Sequence, residues 1–175
     1  LVPNARAGFF KANYNRWEVA HFRPERTPVK NLASVLSGIL GSPLETIQTE
    51  LNRGFGSLVD LYKGSDLYRD ETTSQWQNAD EEEKKSMDRS TANLLVIVDQ
   101  FEEFFTNPEN FRNGAPTEEA QVLVNLLLET SNISLRDDIP IYVVFTMRSD
   151  YIGQCAAFRG LPESIGFSQF FVPRL

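Results

Sequence analysis

The 175-residue chain is 41% hydrophobic and 23% charged, which suits one domain with a real core. Its net charge of −7, from 24 acids against 17 bases, excludes broad nonspecific binding to nucleic acid or anionic lipid, which needs a positive footprint. A single cysteine, Cys155, excludes an intrachain disulfide framework and points to a reducing, cytoplasmic home.

In chain order, "NRWEVAHFRPERTP" reads as a strand over Trp17–Phe22 followed by a loop. Thr27 and Pro28 form a helix start, and Leu32, Val35, Leu36 and Ile39 follow at helical spacing until Gly41. A second helix is expected from Ser42 and Glu45 as a capping box with Pro43 in the first turn. Leu44, Ile47, Leu51, Phe55 and Leu58 make its apolar stripe, and Gly54 and Gly56 weaken its middle. The segment Asp66–Ser90, with its run "DEEEKK", reads as a solvated helix or loop.

Leu94–Val98 is continuously apolar, as suits a central parallel strand covered on both faces. "TEEAQVLVNLLLET" predicts a helix capped by Thr117 with acids in its first turn. "IPIYVVFTMRSD" predicts a second buried strand ending at Arg148, "YIGQCAAFRG" a helix, and "SQFFVPRL" a last strand stopped by Pro173. Alternating strands and long crossovers predict an α/β fold with a mainly parallel sheet, whose sites form at the carboxyl ends of strands. No apolar run exceeds about five residues, against the ~20 that cross a bilayer.

Charged residues after two of the strands fall at that edge. In "LLVIVDQFEEFFT", Asp99 ends a buried strand, where one carboxylate can hold Mg²⁺ that bridges phosphates. Glu102 or Glu103 could deprotonate an attacking water, and Arg148, ending the neighbouring strand, could sense or stabilise a γ-phosphate. Polar strand ends and acids in a helix's first turn are also ordinary structural features. His21, the only histidine, reads as a core or edge residue, and Cys155 as a buried small residue. Arg23 and Arg26 read as structural salt-bridge partners, Trp17 and Trp76 as packing residues.

"LLVIVDQFEEFFT" resembles the Walker B segment of the STAND class of P-loop NTPases, in the branch called novel STAND NTPase 1. "VVFTMRSDYIG" resembles that branch's sensor strand, "WEVAHFRPERTPVKNLASVL" its second strand and following helix, and "FSQFFVPRL" its fifth strand. The resemblance implies Asp99 as the magnesium-coordinating acid, Glu102 and Glu103 as the distal acids of an extended Walker B, and Arg148 as the sensor. Gln100 differs from the small residue of many STAND proteins but fits this branch.

It further implies a partial P-loop NTPase three-layer sandwich over residues 1–175, within an ATP- and Mg²⁺-dependent signalling switch carrying effector and WD40 or TPR repeat domains. No G-x-x-x-x-G-K-[ST] segment occurs among these residues, and none of the five lysines follows a glycine. By the same resemblance "LVPNARAGFF" is the tail of the helix after the phosphate loop, and the first strand lies upstream of Leu1. The piece alone is then expected to be inactive on ATP and to self-associate through an exposed sheet edge. Two alternatives stay open: a non-enzymatic interaction scaffold with a degenerate NTPase fold, and an unrelated α/β domain that merely ends its strands in charges.

Overall fold

A computed structural model describes residues 12–166 and 169–172. Strand β1, Trp17–Phe22, is followed by helix α1, Pro28–Leu40. Pro28 stands in the first turn of α1, where its missing N–H costs nothing, and Gly41 ends it in the left-handed conformation at φ 65°. Thr27 occupies the cap position but caps no amide with its hydroxyl; the Val29 N–H donates instead to Glu119 Oε1 at 3.4 Å.

The expected capping box of Ser42 and Glu45 does not form. Pro43 takes the cap position in an extended conformation, and α2 runs only from Leu44 to Leu51. The Ser42 carbonyl is tied back to α1, accepting from the Ser37 hydroxyl at 2.6 Å. The long second helix is also two helices, since α3 spans Ser57–Lys63 and the chain breaks around Gly54 and Gly56. That break leaves Phe55 45% exposed, off the apolar stripe it was expected to complete.

Two short helices, α4 over Ser74–Asn78 and α5 over Glu81–Ser90, make the polar segment. Asp80 and Glu83 form a full capping box on α5. Arg69 ties the segment together, pairing with Glu71 and Asp88 and lying over the rings of Tyr14 and Trp76. The segment is solvated, as expected, but it is also anchored.

The central strand β2, Asn93–Val98, is buried at all six positions. A turn leads into the four-residue helix α6, Glu103–Thr106, and a small hairpin of β3, Phe111–Arg112, and β4, Ala115–Pro116. Helix α7, Glu118–Asp137, starts where expected, with the Thr117 hydroxyl accepting from Ala120 N. Strand β5, Ile141–Phe145, gives way to a 3-10 helix over Ser149–Ala157 and then to α8, Leu161–Ile165.

The main sheet is parallel, in the order β1-β2-β5. Alternation along the strands splits the core into two faces. Ala20, Phe22, Leu94, Val96, Val98 and Ile141 face the larger cluster with the buried side chains of α1, α2, α3 and α7. Trp17, Val19, Leu95 and Ile97 form a smaller cluster on the opposite face, with Ala12 and Val144 against it. Burying a side chain such as Leu32 or Leu36, each 0% exposed, contributes about 1.5–3 kcal/mol.

Strand β5 departs from expectation. It ends at Phe145, not Arg148, and only Ile141 is fully buried. Its one sheet neighbour among the described residues is β2, so its outer side is an edge and Tyr142 is 38% exposed. Gln169–Val172 carries no strand, and Phe170 and Val172 are exposed. The remainder of the expected last strand, and the expected helix tail at residues 1–10, lie outside the described residues.

Candidate functional site

The parallel register brings the carboxyl ends of β1 and β2 level, with Phe22 opposite Val98. Asp99 follows immediately, its N–H donating to the Phe22 carbonyl at 2.8 Å. The next strand end is locked by Thr146 N donating to the Val98 carbonyl at 3.0 Å and Phe101 N donating to the Thr146 carbonyl at 2.8 Å. These bonds fix the turn that carries Asp99, Gln100 and Glu102. Phe101 anchors it from below, 1% exposed, with ring centroids 4.9 Å from Phe104 and 4.7 Å from Phe145.

Both oxygens of Asp99 are engaged. Oδ1 accepts from the Thr146 hydroxyl at 2.6 Å. Oδ2 accepts from Arg23 Nε at 3.3 Å and lies 3.6 Å from His21 Nε2. The Thr146 bond foremost, then Arg23 and His21, holds the Asp99 carboxyl below the usual carboxylate range. Thr146 also accepts from Gln100 N at 3.1 Å, a bond that supports Gln100 at its left-handed φ of 57°.

Gln100 links two charged neighbours. With its amide turned the way that satisfies both neighbours, its oxygen accepts from Arg23 Nη2 at 3.0 Å and its nitrogen donates to Glu103 Oε1 at 3.1 Å. The other oxygen of Glu103 accepts from Glu25 N at 2.9 Å. Glu25 itself has φ 48°, an uncommon conformation for a residue with a side chain. Its carbonyl accepts from Asn107 Nδ2 at 2.7 Å and Asn110 Nδ2 at 2.6 Å. Glu103 thus acts on the loop after β1 and caps no amide of α6.

Glu102 differs. Its Oε2 is buried and has no hydrogen-bond partner among the described residues. Arg148 is turned outward, its Nη2 donating to Asp150 Oδ2 at 2.7 Å and its guanidinium 5.7 Å from the Tyr151 ring centre. Asp150 chiefly, with Tyr151 and Glu102 adding to it, strengthens the hold of Arg148 on its proton. The structure therefore gathers Asp99, Gln100 and Glu103 with Arg23, His21 and Thr146. No hydrogen bond or ion pair joins Arg148 to Asp99 among the described residues.

Sequence reasoning missed Thr146 and the asparagine clamp. Thr146 stood inside "VVFTMRSD", two residues before the arginine that drew attention. His21 is an edge residue, its side chain 51% exposed, and Arg23 makes a salt bridge, both as expected. Cys155 is buried as expected, and burial pushes its thiol up.

No three His, Cys, Asp or Glu side chains gather as a metal site among the described residues. A magnesium ion shared with phosphates asks less, one or two protein oxygens and several waters. Asp99 with the Thr146 hydroxyl beside it fits that sharing, provided Arg23 yields Oδ2.

A three-stranded parallel sheet covered by helices is compatible with a P-loop-like α/β fold, in which ligands bind at the carboxyl ends of the strands. The chain belongs to the Novel STAND NTPase 1 family, whose model matches residues 1–175. Comparison with curated proteins and with solved structures finds no match. Membership of an NTPase family supports nucleotide binding by this module. No helix among the described residues is long and apolar enough to cross a membrane.

Proposed function

We propose that this chain is part of an ATP-binding, ATP-hydrolysing switch module within a larger STAND-type signalling protein. The observation that carries the reading is the fixed turn at the end of β2, which places Asp99, hydrogen-bonded by Thr146, at the carboxyl edge of a parallel sheet. Asp99, supported by Thr146, would hold magnesium, which when bound would bridge phosphate oxygens and offset their charge.

Glu102 is the better base of the two distal acids. Glu103 spends both oxygens on Gln100 and Glu25, whereas Glu102 keeps an oxygen with no hydrogen-bond partner among the described residues. A base needs a free oxygen within reach of the attacking water. Arg148 would serve as the γ-phosphate sensor by leaving Asp150, its side chain being exposed. No lysine-bearing phosphate loop occurs among these 175 residues, so on this reading the chain as given would not hydrolyse ATP by itself. Effector and repeat domains and a cytoplasmic setting are part of the same proposal.

Self-association belongs to it too, supported by the open edge of β5 and the exposed Phe170, Phe171 and Val172. Sedimentation of the 175-residue piece checks this, and a clean monomer at high concentration counts against it. For the catalytic reading the test is turnover in the full-length protein. Glu102→Gln should slow hydrolysis at least tenfold and spare ATP binding. Unchanged turnover in both Glu102→Gln and Glu103→Gln would remove the base from this turn. A full-length protein that binds no nucleotide would favour the scaffold reading instead.

A further inference from the structure

The loop after β1 reaches Asp99 through the side chain of Arg23. Its backbone is pinned at every residue from Arg23 to Glu25. Asn31 Nδ2 donates to the carbonyls of Arg23 and Pro24, both at 3.1 Å. Glu25 is held through its N–H by Glu103 and through its carbonyl by Asn107 and Asn110. Asn110 is 1% exposed, so the clamp reaches the core. The Arg23 side chain, in contrast, is 48% exposed, and among the described residues its hydrogen bonds are made at its head, to Asp99 and Gln100.

A fixed backbone with a half-exposed, head-bound arginine is a device for moving one charge without moving a loop. The charge now sits on the oxygen that a magnesium ion would take. Two like charges on one oxygen repel each other, so a cation bound there weakens the hold on Arg23.

We infer that Arg23 is an internal counter-ion of Asp99 that occupies the cation position when nucleotide is absent and swings off it when magnesium and phosphates arrive. This rests on the proposed role of Asp99. Asp99 stays neutralised in the empty state, and the released guanidinium stays beside the incoming phosphates, where its fork of donors suits their oxygens. Arg23 is a positioning residue here, setting the affinity for the cation.

The test is Mn²⁺ binding to the full-length protein at saturating ATP, read by electron paramagnetic resonance. Arg23→Ala and Arg23→Gln should each bind Mn²⁺ about twofold to fivefold tighter than wild type, the range expected for a partly exposed pair. Arg23→Lys should stay near wild type. Adding Asp99→Asn should weaken binding and erase the effect of removing Arg23, since the two then have nothing to compete over. Circular dichroism melting confirms that each variant is folded.

Mn²⁺ affinity unchanged or weaker in both neutral variants, with Asp99→Asn still weakening it, overturns the role of Arg23 alone. A wild type that shows no ATP-dependent Mn²⁺ binding overturns the functional reading and this inference with it.

Discussion

Replacing Phe101 with alanine tests whether the turn after β2 is held from the core. Phe101 is 1% exposed and lies against four aromatic rings, those of Phe104, Phe105, Phe145 and Phe158, at 4.7–6.0 Å between centroids. Truncating a buried phenylalanine typically costs about 3–5 kcal/mol, and each lost aromatic pair can add ~0.5–1.5 kcal/mol to plain area burial. These overlap, so we expect about 3–5 kcal/mol in all. In a domain of this size each kcal/mol lowers the melting temperature by about 2–4 °C, giving a fall of roughly 6–20 °C. Calorimetry or circular dichroism of wild type and Phe101→Ala measures it, with Phe101→Leu as a milder control expected to lose less than half as much. A fall under about 2 °C would mean that the turn is not seated by this ring, and the argument that the core positions Asp99 would fail.

Thr146→Val removes the hydroxyl shared by Asp99 and Gln100; we expect a loss of about 1–2 kcal/mol and a rise of the Asp99 pKa toward the ordinary value, read by urea unfolding and by NMR titration. Tyr62→Phe deletes a buried hydroxyl that donates to the Ala92 carbonyl at 3.0 Å, and should cost about 1 kcal/mol in the same unfolding assay. Asp70 accepts from the Thr72 hydroxyl at 2.6 Å and the Thr72 N–H at 2.9 Å, which hold its carboxyl low. A lowered folded pKa gives stability that is present above the unfolded value of about 3.9 and is lost as pH falls through the folded value. The destabilisation by Asp70→Asn should therefore be seen at pH 7 and vanish toward about pH 2, as the urea midpoints of the two proteins converge.

What the sequence makes legible here is what local pattern encodes. The run Leu94–Val98 suits a doubly covered strand, and among the described residues it is the sheet's centre. Thr117 with acids after it marks the start of α7, and Gly41 the end of α1. The Ser42–Glu45 box failed because Pro43 entered in an extended conformation and Ser42 was already tied to α1, a tertiary contact that no spacing rule contains. Strand β5 has the same apolar character as β2, but burial depends on neighbours, and among the described residues it has one sheet neighbour where β2 has two.

The site follows the same division. Asp99 and its two following acids stand out by position after a buried strand. The partners of Asp99 lie 76 and 47 residues away, at Arg23 and Thr146, joined only by parallel pairing of three strands. Arg148 looked like the charge at the strand's end because the strand was read three residues too long. With β5 ending at Phe145, Thr146 comes next to Asp99 and Arg148 begins a turn with Asp150.

The most direct measurement is ATP binding to the full-length protein by calorimetry, with and without Mg²⁺, in wild type and Asp99→Asn. The account predicts that wild type binds ATP, that Mg²⁺ tightens binding, and that Asp99→Asn loses the Mg²⁺ dependence and keeps its fold. ATP binding that responds to Mg²⁺ equally in both proteins, or no ATP binding at all, would contradict it.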